Sequence, residues 1–489
     1  MTRHLPALLF LVPLLTAVSL PVLCLKHRAL SRPIAVTALF IMVGLSLWNL
    51  FNVSQNGEVR YAFSGWAPPL GIEWVADGLA SVILVTLSLL GLSVLVFAGS
   101  MAPKNLEGRI VHFYTLILLL IAALTGIVFA GDLFNLFVFL EVAAIASYAL
   151  VGMAGGRALI AAFRYLILGT LGASLYLLGV SYFYAATGTL NMGDLAEKLP
   201  HLLTSKVVVG GLLFMFIGLG IKMALVPFHA WLPDAYAHAP DSVSPILAAL
   251  VTKVALIGWV RIIFWVLGAK AVVQNIPVLV MVDVLGILAA VIGAVLALAQ
   301  RDIKRIFAYG GISHIGIILI GISQGNPTGF VGGVFYLIND AVMQASLFFI
   351  AGVAAGQYGI RNVDDIGRIA KQAPWLTASL IVVAMGMIGL PPTGGFFGKW
   401  YIILGALEAN NYVAVGAVLL STLLTLAYFV KIFERLFRQA STPSSAEKIE
   451  TPLQIKLSLG ATSVAVLVLG LWSDPMVGAL IRLALPPGF

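Results

Sequence analysis

Apolar runs of about 20 residues recur from one end of this chain to the other, each long enough to cross a hydrocarbon layer roughly 30 Å thick. That repetition decides the fold class before any motif is considered. Backbone inside a bilayer must satisfy its own hydrogen bonds, which leaves only helices and closed barrels. The runs are continuous and do not alternate, so they read as helices and a barrel is excluded. Hydrophobic residues make up 61% of the chain and charged residues 10%, with mean hydropathy +1.05, far outside soluble composition. An all-α polytopic membrane protein follows, with a single membrane domain over residues 1–489.

About fourteen spans are predicted, at 5–24, 34–53, 79–100, 111–130, 131–153, 159–187, 206–229, 243–267, 277–299, 304–323, 329–356, 374–407, 411–437 and 454–484. The first is long, lacks a small-residue cleavage site and ends at Lys26, His27 and Arg28, so it reads as a retained span and not a signal peptide. Residues 54–78 mix aromatics with glycine and proline and predict an outer hairpin or interfacial loop. Residues 191–203 predict a short interfacial helix. The polar connector 439–451 is the one plausible linker, too short to bound a domain.

The net charge of +8 does not imply nucleic acid, because the basic residues cluster in alternate loops. One side holds Lys26, Arg28, Arg32, Lys104, Arg109, Arg157, Arg301, Lys304, Arg305, Arg361, Arg368, Lys371, Lys431, Arg435, Arg438, Lys448 and Lys456. The other holds Arg3, Arg60, Lys198, Lys206 and Lys270. The heavier side is expected to be cytoplasmic, with both termini outside an inner or plasma membrane. The lone Cys24 can form no internal disulfide and reads as a small core residue.

Within the spans few ionisable residues remain, and each is costly unless paired or functional. Glu141, Lys222, Lys253 and Lys399 lie deep in apolar surroundings and read as proton-transfer groups. His314 reads the same way, although a membrane histidine can simply hydrogen-bond a neighbouring helix. Four more are auxiliary candidates with plain structural alternatives. His229 is placed to cap the break after Pro227. Asp340 is placed to bond Asn339 or Gln344 in a packing cluster. Asp132 and Asp283 lie near span ends. Asp234 and His238 are expected in a loop with turn or capping roles, and Arg164 and Arg261 are close enough to span ends to snorkel.

Burial moves carboxyl and amine groups towards neutrality from opposite sides, so a group inside the membrane can both take and release a proton near pH 7. Two unit charges about 10 Å apart at an effective dielectric near 20 interact by roughly 1.7 kcal/mol. One charge crossing 100 mV is worth about 2.3 kcal/mol. The scales match, so a row of coupled sites can work against the field. The sequence has no cysteine motif for an iron–sulfur cluster and no phosphate loop, so neither cofactor nor metal is expected on this chain.

Two stretches share ingredients. IKMALVPFHAWL (221–232) holds a lysine, a proline and aromatics; GLPPTGGFFGKWYI (389–402) holds Pro391 and Pro392 before Lys399. Paired interrupted helices point to paired transport sites. They divide the chain into a first repeat, 111–267, a second, 277–437, and a final helix, 454–484.

At these residues the chain resembles the antiporter-like subunits of proton-pumping NADH:quinone oxidoreductase and of the Mrp-type cation/proton antiporters. The stretches that carry the resemblance are FNLFVFLEVAAIASYAL, KMALVPFHAWLPDAYAHAPDSVSPILAALVTKVALIGWVR, DIKRIFAYGGISHIG and GLPPTGGFFGKW. Its length, and the residues around Glu141, look most like the D-type Mrp subunit or its membrane-bound hydrogenase counterpart. The resemblance implies about fourteen helices in two inverted five-helix repeats, with helices 7 and 12 broken. It implies a glutamate–lysine pair at Glu141 and Lys222, a bridging lysine at Lys253, a central site at His314 and a terminal lysine at Lys399. It also implies partner membrane subunits and transport of protons, with sodium as a candidate coupling ion. Several relatives carry histidine and lysine in the eleventh span where Asp340 and Gln344 stand here. The expected function is a proton-translocating subunit, most like the D-type member of an Mrp sodium/proton antiporter. The alternatives are a proton-pumping subunit of a redox-driven complex and a stand-alone secondary transporter.

Overall fold

The computed structural model describes residues 2–101, 108–275, 277–440, 450–479 and 481–489. The helices begin and end close to the predicted spans. α1 is Leu5–Leu23, α2 Ser31–Asn56, α3 Gly78–Met101, α4 Ile110–Phe129, α5 Leu133–Gly152 and α6 Arg157–Thr187. Between α2 and α3, the predicted hairpin forms from β1 (Val59–Ala62) and β2 (Glu73–Ala76), paired antiparallel with Val59 opposite Ala76. The predicted interfacial helix is α7, Met192–Lys198.

The chain remains helical beyond α7. α8 (Lys206–Lys222) and α9 (Trp231–His238) flank the Pro227 break. α10 (Ser244–Ile246) and α11 (Thr252–Arg261) are joined through a π-helical turn, Leu247–Val251. Then come α12 (Ala269–Asn275), α13 (Val278–Ala299), α14 (Ile303–Ser323), α15 (Pro327–Tyr358) and the short α16 (Gly367–Gln372). α17 (Pro374–Ile388) and α18 (Gly394–Glu408) flank the Pro391–Pro392 break, and α19 (Tyr412–Ala440), α20 (Leu453–Leu471) and α21 (Ser473–Ala479) close the chain. Among the described residues twelve helices are long and apolar enough to cross a membrane; α8–α9 and α17–α18 are the broken segments beside them.

Some expectations need correction. Asp234 and His238 lie in α9 and not in a loop. The last helix ends at Leu471 instead of running to 484, because Ser473, Asp474 and Pro475 interrupt the apolar run. The predicted linker lies mostly outside the described residues, as do Lys104 and Lys448. Cys24 is a free, buried thiol.

The core lies along α10–α11, α14 and α15, whose apolar windows are 94–100% buried, whereas α2 is 33% buried. The buried helices are the ones that carry Lys253, His314 and Asp340. Small residues let neighbouring backbones touch. A Cβ on Gly218 of α8 would stand 2.5 Å from the Gly172 carbonyl oxygen of α6, and one on Gly316 of α14 would stand 2.5 Å from the Gly286 carbonyl oxygen of α13.

One device occurs twice. Asp132 caps α5, accepting from Phe134 N and Asn135 N at 2.9 and 2.8 Å, and forms an antiparallel bridge with Asn191 after α6. Asp302 caps α14, accepting from Arg305 N at 2.9 Å, and bridges Asn362 after α15. Each time, a helix pair leaves a capping aspartate and returns to an asparagine. Free N–H groups at a helix start need such acceptors.

Candidate functional site

The first break builds its site from freed backbone. α8 stops at Lys222, Ala224 takes a left-handed conformation (φ 55°), and the Val226–Pro227 bond is cis. The carbonyls that helix would have used find other donors: Leu225 N reaches Gly220 O at 2.9 Å, and the Trp231 ring nitrogen donates to Ile221 O at 2.9 Å. Lys222, 7% exposed, then points its ammonium at α5 and donates to Glu141 Oε1 at 2.8 Å. The Glu141 side chain is 26% exposed. It shares the outer face of α5 with Val138 and Ile145.

The second region is buried more deeply. Lys253 Nζ donates to Ala248 O in the π-helical turn at 2.7 Å. It also stands 2.8 Å from Asp340 Oδ2, an ion-pair contact at an angle outside hydrogen-bond geometry. Asp340 Oδ1 is 2.9 Å from His314 Nδ1, and both residues are 0% exposed. The Tyr336 hydroxyl, one turn before Asp340, lies 3.1 Å from His314 Nδ1. Lys399 donates to Met387 O and Ile388 O at 2.9 and 3.1 Å and to Thr422 Oγ1 at 3.2 Å, with its ammonium 5.9 Å from the Tyr336 ring centre. Its acceptors are the carbonyls that the Pro391–Pro392 break leaves free at the end of α17.

Asp340 is thus no packing partner of its own helix neighbours. Asn339 donates back to Phe335 O, and Gln344 Nε2 is buried without a hydrogen-bond partner. Asp340 links Lys253 to His314, so the buried acid meets a lysine on one oxygen and an imidazole nitrogen on the other, the kind of partners a low-dielectric interior requires of it.

The other auxiliary candidates separate. His229 sits in the turn after Pro227 with its ring edge-on to Tyr309, centres 6.3 Å apart, and its Nδ1 is buried and unpartnered. Asp132 is an N-cap. Asp283 accepts from Ser323, Gln324 and Asn411 at 3.0, 3.1 and 2.8 Å, an anchor for the ends of α14 and α19.

Three sets of ion pairs are not legible in the sequence. Arg261 does not snorkel: it is 2% exposed and grips Asp77 with two bonds of 3.1 and 3.0 Å. Lys304 is buried and reaches Asp241 at 2.7 Å. Asp234 joins Arg164 and Arg305 at 2.9 and 2.7 Å. Arg261 is visible as a charge in an apolar run, but its partner lies 184 residues away. Two cavities approach this core. One of about 640 Å³ beside the Asp302 bridge is lined by His238, Asp241, Lys304 and Arg361. The other, about 900 Å³ beside the Asp132 bridge, is lined by Arg60, Glu73, Asp194 and Arg261.

Residues 130–425 match the family described as NADH:quinone oxidoreductase/Mrp antiporter, TM. The chain is 39% identical to NADH-quinone oxidoreductase subunit N of Desulforudis audaxviator, covering 99% of each. It is 32% identical to the D-type subunit of the Na(+)/H(+) antiporter of Alkalihalophilus pseudofirmus, over 88% of this chain and 86% of that one. Its structure is similar to a chain of the membrane-bound sulfane sulfur reductase, an archaeal respiratory membrane complex, with TM-score 0.91, 28% identity and coverage of 98% and 96%.

Proposed function

The chain belongs to the NADH:quinone oxidoreductase/Mrp antiporter transmembrane family, and on that premise we propose that it translocates protons as one subunit of a multisubunit membrane complex. The observation that carries the proposal is the buried chain Lys253–Asp340–His314, with contacts of 2.8 and 2.9 Å. Three ionisable groups in series inside an apolar core have no packing value that apolar residues could not supply more cheaply. They do allow a proton to pass from one group to the next, each occupancy altering its neighbour.

Glu141 tunes Lys222. Lys253, Asp340 and His314 pass the proton laterally, and Lys399 exchanges it with one side of the membrane. The break carbonyls hold Lys399 without an acid, so it is free to gain and lose its proton. The repeated Asp–Asn bridges support reading 111–267 and 277–437 as two halves of opposite orientation, since a segment crossing the membrane an odd number of times returns inverted. The heavier basic face is then cytoplasmic and both termini lie outside.

Partners follow from the face that carries Glu141. A carboxylate exposed between Val138 and Ile145 would meet lipid, which is costly. Another membrane subunit over this face removes that cost. The coupling reaction has two readings. The Na(+)/H(+) antiporter relative supports exchange of sodium for protons. The NADH-quinone oxidoreductase relative, with the higher identity, supports a redox-driven complex. The complex that co-purifies with the chain separates them, by its redox subunits or their lack.

The test is Lys222→Ala in the assembled complex, reconstituted in vesicles with a pH-sensitive dye. Proton movement is expected to disappear while every subunit still assembles. Normal proton movement by that variant overturns the assignment.

A further inference from the structure

Two consecutive carbonyls in the π-helical turn Leu247–Val251 are taken by side chains. The Tyr236 hydroxyl of α9 donates to Leu247 O at 2.8 Å, and the Lys253 ammonium donates to Ala248 O at 2.7 Å. A π-helical turn shifts each backbone bond on by one residue, and such turns gather at functional sites. The peptide plane is rigid. Holding the Leu247 carbonyl therefore leaves only the φ and ψ of Ala248 between it and the carbonyl that binds the lysine.

Tyr236 is itself held firmly. It is buried, with its ring edge-on to Phe348 of α15 at 5.6 Å and to Trp231 of its own helix at 6.4 Å. Trp231 stacks on Tyr165 of α6, ring centres 4.0 Å apart and planes 2° apart. The Tyr236 carbonyl accepts from Ser244 Oγ at 2.8 Å, and Ser244 Oγ accepts from Lys304 at 3.1 Å. α9 is thus fixed to α6 at its start and, through Tyr236, to the turn beside Lys253.

We propose that Tyr236 is a positioning residue for Lys253: its hydroxyl sets the pair of carbonyls that aims the ammonium at Asp340. The far half of the first broken helix, and not α11 alone, then decides where this lysine stands. The inference rests on the proton-transfer role proposed above for Lys253. Lys253 faces Asp340 of α15 at 2.8 Å, and His314 of α14 lies 2.9 Å from the same carboxylate. α8, which also packs against α11, ends at Lys222, itself paired with Glu141. A change in the aim of Lys253 therefore alters a set of coupled ionisable groups, and the pH dependence of proton flux reports it.

The test measures proton flux against pH in vesicles that hold the assembled complex. Tyr236→Phe keeps the ring and removes only the donation to Leu247 O. It is expected to lower flux about fivefold, the worth of one hydrogen bond, and to displace the pH profile. Phe348→Leu loosens the packing of the same ring and keeps the hydroxyl. It is expected to lower the melting temperature and leave the profile in place. Lys253→Met controls for the role on which the inference rests and is expected to abolish flux. Wild-type flux and profile in Tyr236→Phe, beside an inactive Lys253→Met, overturn the positioning role alone. Lower flux with an unchanged profile overturns it too, since a purely structural bond would do the same. A displacement by Phe348→Leu as large as that by Tyr236→Phe makes the effect one of packing and also overturns it. Normal flux in Lys253→Met removes the role of Lys253 and this inference with it.

Discussion

Glu141 and Asp340 are acids set within membrane-spanning helices, each meeting a lysine, and they are held in opposite ways. Glu141 is partly exposed on an outer helix and has a single cation, Lys222, at the end of a broken helix. Asp340 is fully enclosed and stands between Lys253 and His314. The breaks differ too. In the first, the indole of Trp231 occupies the freed carbonyl of Ile221, and the lysine turns to an acid. In the second, Lys399 itself occupies the freed carbonyls of Met387 and Ile388. A similar break thus serves a lysine with a counter-charge in one place and a lysine without one in the other. The first arrangement suits control from a neighbouring surface; the second suits a relay enclosed by protein.

The largest test of this contrast is Asp340. Asp340→Ala leaves two buried bases without an acid, and breaking a buried pair typically costs about 3–5 kcal/mol. The expected outcome is a lower melting temperature and at least a hundredfold loss of proton flux, by the same free-energy scale. Asp340→Asn keeps the shape and is expected to lose the flux alone. Wild-type flux in Asp340→Asn would make the second region a packing cluster and end the comparison.

Glu141→Gln should cost less. Its pair lies between the exposed limit of about 1 kcal/mol and the buried one, so a roughly tenfold loss of flux is expected, with little change in melting temperature. A loss as deep as that of Asp340→Asn would show the two acids to be equivalent despite their different exposure.

The breaks can be compared directly. Trp231→Phe removes the donor to Ile221 O, and Thr422→Val removes one of three acceptors of Lys399. Each lost hydrogen bond is worth about 1 kcal/mol. Trp231→Phe is expected to lower thermal stability with flux preserved, because the indole only satisfies backbone. Thr422→Val is expected to alter the pH profile of flux, because it touches the lysine. The reverse pattern would exchange their roles.

The smallest effect concerns the two bridges. Asn191 accepts from Asp194 N at 3.0 Å and donates to Glu73 at 2.8 Å, whereas Asn362 makes no side-chain cap. Asn191→Ala should cost about 1 kcal/mol and Asn362→Ala a few tenths, read as shifts in melting temperature. Equal shifts would mean that the bridge backbone, not the side chain, does the holding.

Much of this molecule was legible in the linear chain because the bilayer constrains it so strongly. Long apolar runs had to become helices, whereas the capping roles of Asp132 and Asp302 at the starts of α5 and α14 appear only in the structure. Lys222 and Lys399 stood out because a charge in an apolar run has few explanations. Asp340 was harder. Its own neighbours, Asn339 and Gln344, offered a local explanation that sequence alone could not dismiss, and its true partners lie 87 and 26 residues away. Lys304 read as an ordinary loop cation because nothing nearby in sequence shows that it folds under Asp241.

The sequence by itself determined the polytopic helical architecture, the two proline breaks and the presence of embedded charge, because hydrophobic length and the chemistry of proline and lysine act locally. Only the tertiary structure decided which charges meet. Lys222 finds Glu141 across 81 residues and Arg261 finds Asp77 across 184. A charge pair depends on the inverse distance between groups, and that distance is set by how helices pack and not by their order along the chain.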